Sequence, residues 1–518
     1  MNSLSVSGKN WILRKYSEEN LNFLKDNFSL DEITSKLLSI RKIKREEINS
    51  FLNPSIKSFL PNPYNMSDME KSTLRTAKAI NQREKLGIFG DYDVDGAAST
   101  ALLGNYFSEL NLEYETYIPD RKKEGYGPTI KSFKELIEKK VKVIYTVDCG
   151  TLSYEAINYA NDNKVDVIVL DHHQSEVKLP NAFSIVNPNR LDDKSNLQYL
   201  CASGVAFMFL ISLNRELRNT NWFSKNDIKE PNLIDCLDLV SLGTVCDVVP
   251  LIGLNRAIVK QGLKILKLKK NLGLKTLLDI CKINTNPSTY HLGYLIGPRI
   301  NAGGRVGKCS HGANLLLNKD PKYSFKLASE LDHFNRERQL LEKDLLIKIL
   351  NETKDKSDEP VLILSGKNWH EGVIGIVAAR LKDKFNKPVI LISLDGNIGK
   401  ASARSVVGFD IGSVIIAAAQ EKILIKGGGH KMAGGFSIQA KNIKLFKNFV
   451  FKRLKGINED LKSEKPLLLD SVIAPSAVNL EFYNKIALLS PFGSGNPEPK
   501  FIIEDLKTIN GKIVGEKH

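Results

Sequence analysis

Three acids alternate in the hexapeptide DYDVDG: Asp91, Asp93 and Asp95. Asp148 opens DCG, Asp171 leads His172 and His173, and Asp247 sits in the otherwise apolar LGTVCDVVP. Held together unpaired, so many carboxylates would oppose one another's ionisation. A divalent cation removes that conflict, and two remove it better. Oxygen ligands alone would favour magnesium or calcium. Added imidazole tilts the choice towards manganese or another transition ion. Two adjacent ions can activate a water and stabilise both oxygens of an in-line phosphoryl displacement. The chemistry expected is hydrolysis of a phosphate ester.

Taken singly, these motifs have plainer readings. Asp148 could cap a helix. DYDVDG could be an acidic turn, and it lacks the later glutamate of a calcium-binding EF-hand loop. Asp247 in apolar surroundings needs a partner, and a metal site supplies one. Their common position in the fold strengthens the metal reading. Residues 86–90, 112–118, 141–147 and 165–170 read as short apolar strands, and helical segments follow them. That alternation predicts a parallel α/β sheet. Such strands are buried on both faces, and ligands bind beyond their carboxyl ends. Asp91–Asp95, Asp148 and Asp171–His173 all stand at such ends.

The remaining elements are read more coarsely. Residues 1–70 form a small helical lead-in, closing on an extended linker marked by prolines 54, 61 and 63. Residues 200–350 read as mainly helical. Leu327, Leu331, Phe334, Leu341 and Leu345 stripe one face of a long joining helix, with a gap at Arg338. A polar linker is expected at 351–359. A second α/β unit follows, with strands at 361–364, 389–394 and 400–405 and a helix at 372–381.

With 518 residues, 42% hydrophobic and 26% charged, the composition is globular rather than disordered. The formal net charge of +15 points to a polyanionic partner, nucleic acid or an anionic membrane face. No run approaches the roughly 18 apolar residues of a membrane span, and the first twenty residues lack a signal-peptide core. Six scattered cysteines without a CxxC pair fit a reduced cytoplasmic protein.

The ordered set DYDVDG, VDCG, DHH and GTVCDVVP resembles the DHH phosphoesterase superfamily. YIPDRKKEGYG, GPRINAGGRVG, NWHEGVIGIVAARL, KASARS, GGGHKMAGG and PFGSGNPEPKF narrow the resemblance to its RecJ family of bacterial single-strand-specific exonucleases, over nearly the whole chain. The resemblance implies an α/β fold with a parallel-sheet DHH domain at 71–255, a helical connector at 256–355 and a smaller α/β DHHA1 domain at 356–460. The start of an OB-fold would occupy 461–518, expected to be truncated because the chain ends after about two strands. It implies that Asp91, Asp93, Asp95, Asp148, His172 and Asp247 bind two divalent ions, manganese first and magnesium as the alternative, with Asp148 bridging. His173 would sit near the metals or the scissile phosphate, with Asp171 orienting imidazole. Asp93, Asp95, Asp148, His172, His173 and Asp247 are then the catalytic set. Cys149 and Cys246, beside metal acids, stay as packing residues.

On the substrate side, the resemblance implies that Arg121, Ser402 and Arg404 hold a 5′ terminal phosphate or nearby backbone, and that Arg299 and His370 lie near the scissile phosphate. Gly428, Gly429 and His430 would form a glycine-rich loop whose N–H groups approach phosphate. Tyr126 would stack on a base. On residue type alone the arginines read as solvated loop residues, the glycines as a tight turn and Tyr126 as a packed ring. The implied function is a metal-dependent 5′→3′ exonuclease, a hydrolase releasing 5′-mononucleotides from single-stranded DNA in repair and recombination. Implied partners are the strand itself, a helicase and a single-strand-binding protein, with a cytoplasmic monomer and no membrane. The alternative is a DHH phosphodiesterase or phosphatase of short oligonucleotides or small nucleotides, expected to be shorter and to lack WHEGVIG. A binding protein that had lost catalysis would show damaged metal acids. A manganese pyrophosphatase would share the metal logic but not the basic charge.

Overall fold

The computed structural model describes residues 9–353, 359–454, 466–507 and 509–511. They divide into two compact units: one within 61–249 and 261–463, the other within 1–60, 250–260 and 464–518.

The larger unit holds the expected parallel sheet, in the order Tyr114–Tyr117, Leu86–Gly90, Val143–Val147, Asp166–Leu170, Ser184–Val186. LGIFG and VIYTV are buried at every position, as parallel strands covered on both faces must be. The chain leaves Leu86–Gly90 for one neighbour and then crosses to the other. The strand order therefore reverses at this strand, and the crevice beyond its carboxyl end opens at Asp91. Ser184–Val186 was not foreseen, because three residues carry no periodicity to read.

The Val94–Glu109 helix follows directly. Asp93 caps it by accepting from the Gly96 N–H at 3.0 Å. Gly96 is required by space: a Cβ there would lie 2.5 Å from the Asp91 carbonyl oxygen. Val94, Ala97 and Ala101 from this helix join Leu242, Ile300, Leu327 and Leu331 in one core.

The long helix is present as Pro321–Glu352, with Asp320 as its cap and Pro321 at its first position, where a missing N–H costs nothing. Leu327 and Leu331 belong to the core just described, Leu345 and Ile349 to the next one. Arg338, the gap in the stripe, donates to Glu342 at 2.6 Å and Asn335 at 2.7 Å, and Glu342 also pairs with Arg380 of the Glu371–Phe385 helix. The gap is thus an ionic junction on the buried Glu342, set between two apolar cores and reaching solvent at Arg380. The expected polar linker begins after this helix; its residues 354–358 lie outside the described ones.

The second lobe is a mixed sheet in the order Lys426–His430, Ala433–Gln439, Ile398–Arg404, Val389–Asp395, Leu362–Lys367. The expected glycine-rich loop is corrected here: the glycines form an edge strand. Gly429 faces Gly434 so closely that a Cβ on it would lie 2.5 Å from Gly434 Cα, so only glycine permits this pairing.

In the smaller unit, Trp11–Leu13 pairs in parallel with Leu467–Leu469, joining the two ends of the chain. Ser17 and Asp31 cap the helices Glu18–Phe28 and Glu32–Ile40. Arg256 is fully buried. Its guanidinium donates to the carbonyls of Phe51, Leu489, Ser490 and Pro491 and stacks on the Phe51 ring at 3.8 Å. Short strands Ser471–Val472 and Phe501–Ile502 flank the Leu480–Ala487 helix.

The extended proline-rich linker is also corrected. Ile56–Phe59 forms a helical turn capped by Ser55, and Pro63–Asn65 a 3-10 turn capped by Asn62. Side-chain caps and proline's fixed φ favour such turns over extended chain.

Candidate metal centre

Each acid stands where an element ends. Asp91 follows Leu86–Gly90, Asp93 and Asp95 open the Val94–Glu109 helix, Asp148 follows Val143–Val147, and Asp171 to His173 follow Asp166–Leu170. Asp247 caps the carboxyl end of the Leu237–Cys246 helix. Three groups of ligand atoms each fall within 4.8 Å: Asp91, Asp93 and Asp148; Asp148, His172 and His173; Asp95, His172 and Asp247. Asp148 and His172 each belong to two groups, so one carboxylate and one imidazole stand between neighbouring positions.

The electrostatics mark a cation site. Burial and Asp93 push Asp91 up to about 8; burial, then Asp95 and Asp93, do the same to Asp247. Burial and the surrounding acids drive Asp148 well above the usual carboxylate range. Asp91 Oδ1 is buried without a hydrogen-bond partner. An orphaned oxygen among mutually repelling acids and an imidazole fits a divalent ion bound by oxygen and nitrogen.

Several contacts fix the ligands. Asp95 accepts from the N–H groups of Ala202 and Ser203 at 2.6 and 3.0 Å, at the start of the Ala202–Asn219 helix. Asp148 adopts a left-handed backbone (φ 62°), and its Oδ1 lies 3.2 Å from His172 Nε2. Asp171 accepts from the Thr151 N–H and hydroxyl and from His173 Nδ1 at 2.8 Å. Burial would raise Asp171, but the His173 bond and charge, the His172 charge and the Thr151 bond together outweigh it and hold the acid below its ordinary range. Burial lowers His173, yet the Asp171 bond and charge, with the charges of Asp247 and Asp93, together lift it to about 9. The imidazole that Asp171 orients is therefore that of His173. Asn187 donates to the His173 carbonyl at 2.8 Å and Asn189 to the His172 carbonyl at 2.5 Å. Both follow the unforeseen fifth strand, and the polar NPN after the apolar pair Ile185–Val186 was the available signal.

Tyr126 comes to this cluster. Its hydroxyl donates to the Asp148 carbonyl at 2.9 Å and lies 3.2 and 3.3 Å from the two ring nitrogens of His173.

A basic group adjoins the acids. Arg121 stacks over Tyr92, between Asp91 and Asp93, at 5.5 Å. Arg305 feels Arg121, Arg338, Arg404 and Asp93; burial, then those cations, lower it to about 10. Arg404 is likewise lowered by burial and by Arg121. Across the sheet Gly428, Gly435 and Ser402 share one row, and His430, Ala433 and Arg404 the next but one. Alternation puts Ser402, Arg404, Gly428 and His430 on one face and Gly429 on the other. No atom lies within 4 Å of a Cβ built on Gly428. His430 Nδ1 accepts from the Met432 N–H at 3.3 Å. His370 caps the Glu371–Phe385 helix by accepting from Gly372 at 3.1 Å, with burial and nearby Lys122 lowering it.

Arg299 is placed differently from the solvated loop expected. It lies in the Gly297–Val306 helix, donating to Asp332 at 2.9 Å and to the Leu295 carbonyl at 2.7 Å. Arg305, six residues on, faces the other arginines, and sequence reading missed it.

Known proteins resemble this chain in sequence and in fold. Residues 85–244 match the DHH family N-terminal domain, 358–456 the DHHA1 domain and 469–518 the RecJ OB domain. The single-stranded-DNA-specific exonuclease RecJ of Haemophilus influenzae is 33% identical over 476 residues, covering 90% of this chain and 82% of that protein. This chain belongs to the RecJ family. The Bacillus subtilis RecJ is 30% identical over 98% of the chain, which spans 63% of that relative's length. The crystal structure of RecJ with Mn²⁺ from Thermus thermophilus superposes with a TM-score of 0.80 at 27% identity, covering 95% of this chain and 69% of that one. A Mg²⁺ complex of RecJ from the same organism gives 0.72 at 25% identity, covering 94% and 67%. The α/β fold with DHH and DHHA1 domains, and the use of a divalent metal, stand with the family.

Proposed function

We propose that the chain hydrolyses single-stranded DNA from its 5′ end and releases 5′-mononucleotides, using two divalent ions with manganese preferred. The observation that carries this reading is an acid and imidazole cluster, sharing Asp148 and His172 between ligand groups, set beside the clustered guanidinium groups of Arg121, Arg305 and Arg404. Asp91, Asp93, Asp95, Asp148, His172 and Asp247 hold the ions. When bound, these supply an acidified water and charge stabilisation for phosphoryl displacement.

The chain's own residues do the rest. His173, oriented by Asp171, donates to a phosphate oxygen as charge develops. Tyr126 steadies that imidazole through its hydroxyl and offers its exposed ring to a base. Arg121, Arg404, Ser402 and the open face at Gly428 and His430 receive the 5′ phosphate, since guanidinium forks suit phosphate oxygens. Arg305 takes the role near the scissile phosphate expected for Arg299, with His370 beside it. End recognition by these groups supports exonuclease action, and the basic charge of the chain supports a nucleic-acid substrate. Among the described residues no helix is long and apolar enough to cross a membrane. A cytoplasmic monomer served by a helicase and a single-strand-binding protein completes the reading, with repair and recombination as its setting.

Strands labelled at either end test the polarity. With Mn²⁺, the 5′ label is expected to leave first as a mononucleotide, and blunt duplex to resist. Early release of the 3′ label, or equal attack on duplex, would contradict the assignment.

A further inference from the structure

The two helices that carry metal acids run on to a second feature. Asp93 and Asp95 stand at the start of Val94–Glu109, and Asp247 at the end of Leu237–Cys246. The opposite ends of both helices line a cleft of about 480 Å³, within the larger unit. At 1.5 Å per residue, about 24 Å of the first helix and about 15 Å of the second separate this cleft from those acids. Its wall is apolar and buried, with Leu102, Tyr106, Leu210 and Leu316. The Tyr106 hydroxyl is committed, donating to Asn214 at 2.6 Å.

Into this wall the sequence sets an acid, Asp238, only 2% exposed. One of its carboxylate oxygens accepts from the Leu239 N–H at 2.8 Å; the other, Oδ2, is buried with no hydrogen-bond partner. Burial pushes the acid up to about 7, against the pull of that N–H. A buried carboxylate oxygen costs free energy until a donor meets it. The donors nearby are spent elsewhere. Lys270 pairs with Asp235 at 2.7 Å, and Asn271 donates to the Leu316 carbonyl at 2.9 Å. Asn318 donates to the Asp320 carbonyl and to the Ser324 hydroxyl. Lys319 lies at the exposed mouth, where it opposes the rise that burial gives Glu109. Three acids thus line the cleft against two lysines, an acidic surplus in a chain of net charge +15.

We propose that this cleft binds a small organic cation, a primary ammonium on a compact apolar body, with the ammonium donating to Asp238 Oδ2 and the body resting on Leu102, Tyr106 and Leu316. The volume suits such a ligand, and a few polar groups in an apolar wall are what orient one. A bare metal ion fits poorly, since it needs several oxygens together. Among the described residues Asp238 joins no group of three ligand atoms within 4.8 Å. A phosphate-bearing ligand would meet the acidic surplus. The ammonium supplies both the missing donor and the missing charge.

The test is calorimetric and uses the full chain loaded with Mn²⁺, so that the metal acids are occupied and do not capture the amine. Cyclohexylamine is the probe, with cyclohexanol as its uncharged counterpart and cyclohexanecarboxylate as its anionic one. The amine should bind at least about ten-fold more tightly than the alcohol, since a hydrogen bond to a charged group is worth that much, and the carboxylate should not bind. Asp238→Asn keeps the shape, removes the charge and should lose that ten-fold advantage. Leu233→Trp fills the cleft from its half-buried edge and should abolish binding of amine and alcohol alike. Unchanged far-UV circular dichroism confirms the fold of each variant; should Asp238→Asn fail to fold, Leu233→Trp carries the decision. Equal affinity for amine and alcohol, or no binding of the amine by the wild type, would overturn the proposal. So would wild-type affinity for the amine in either folded variant. No DNA enters the measurement, so its outcome is separate from that of the nuclease reading.

Discussion

At the scale of single residues, charge decides behaviour. Asp91 and Asp247 titrate near 8 in the folded chain against an ordinary carboxylate value of 3.8. Between those values the folded state holds protons that the unfolded state has lost. The stability of metal-free protein therefore falls as pH rises from about 4 through 8. Thermal unfolding in chelator should show Tm dropping across that window. Manganese, which pairs the carboxylates, should raise Tm more at pH 8 than at pH 5. An Asp171→Asn change should cost about 10- to 100-fold in kcat, as losing the partner that orients a metal-site imidazole does elsewhere, while retaining manganese binding in calorimetry. Arg305→Ala should lower kcat/KM by about 100-fold, consistent with losing a charged phosphate contact. The acids were legible because each is a polar break after an apolar strand. The choice between Arg299 and Arg305 was not. Six residues of helix turn the side chain by about 240°, so only one of the two can face the site, and helix phase is not written in residue type.

At the scale of elements, close approach matters most. A Cβ on Gly372 would lie 2.3 Å from the Arg305 carbonyl oxygen. Gly372→Ala should therefore displace the two helices and reduce kcat/KM by about 100-fold, the usual result of an ångström's misplacement, with a smaller effect on Tm. Buried Arg256 gathers four carbonyls in the smaller unit, and Arg256→Ala should cost about 3 kcal/mol or more in denaturant unfolding by orphaning them. Strands rich in Val, Ile and Leu were readable from composition. The glycine-rich segment was not, because three glycines favour turns locally, and only their pairing with Gly434 and Gly435 makes them a strand. Ser184–Val186 was too short to announce itself.

At the scale of the whole molecule, a basic chain carries a dense acidic centre. Arg121, Arg305 and Arg404 adjoin the acids, so groups suited to cations and groups suited to phosphates stand side by side. The long helix Pro321–Glu352 contributes to the cores of both α/β lobes, so its polar junction at Arg338, Glu342 and Arg380 should influence the arginine group as well as stability. If the shared acid cluster, loaded with divalent ions, performs the hydrolysis, mononucleotide release from single-stranded DNA must follow manganese as it is titrated into the metal-free chain and into Asp148→Asn. The wild-type rate should rise with manganese occupancy from near zero, and the variant should stay at least about 1,000-fold lower with an unchanged fold. Release by Asp148→Asn at the wild-type rate, or by the wild type in excess chelator, would contradict it.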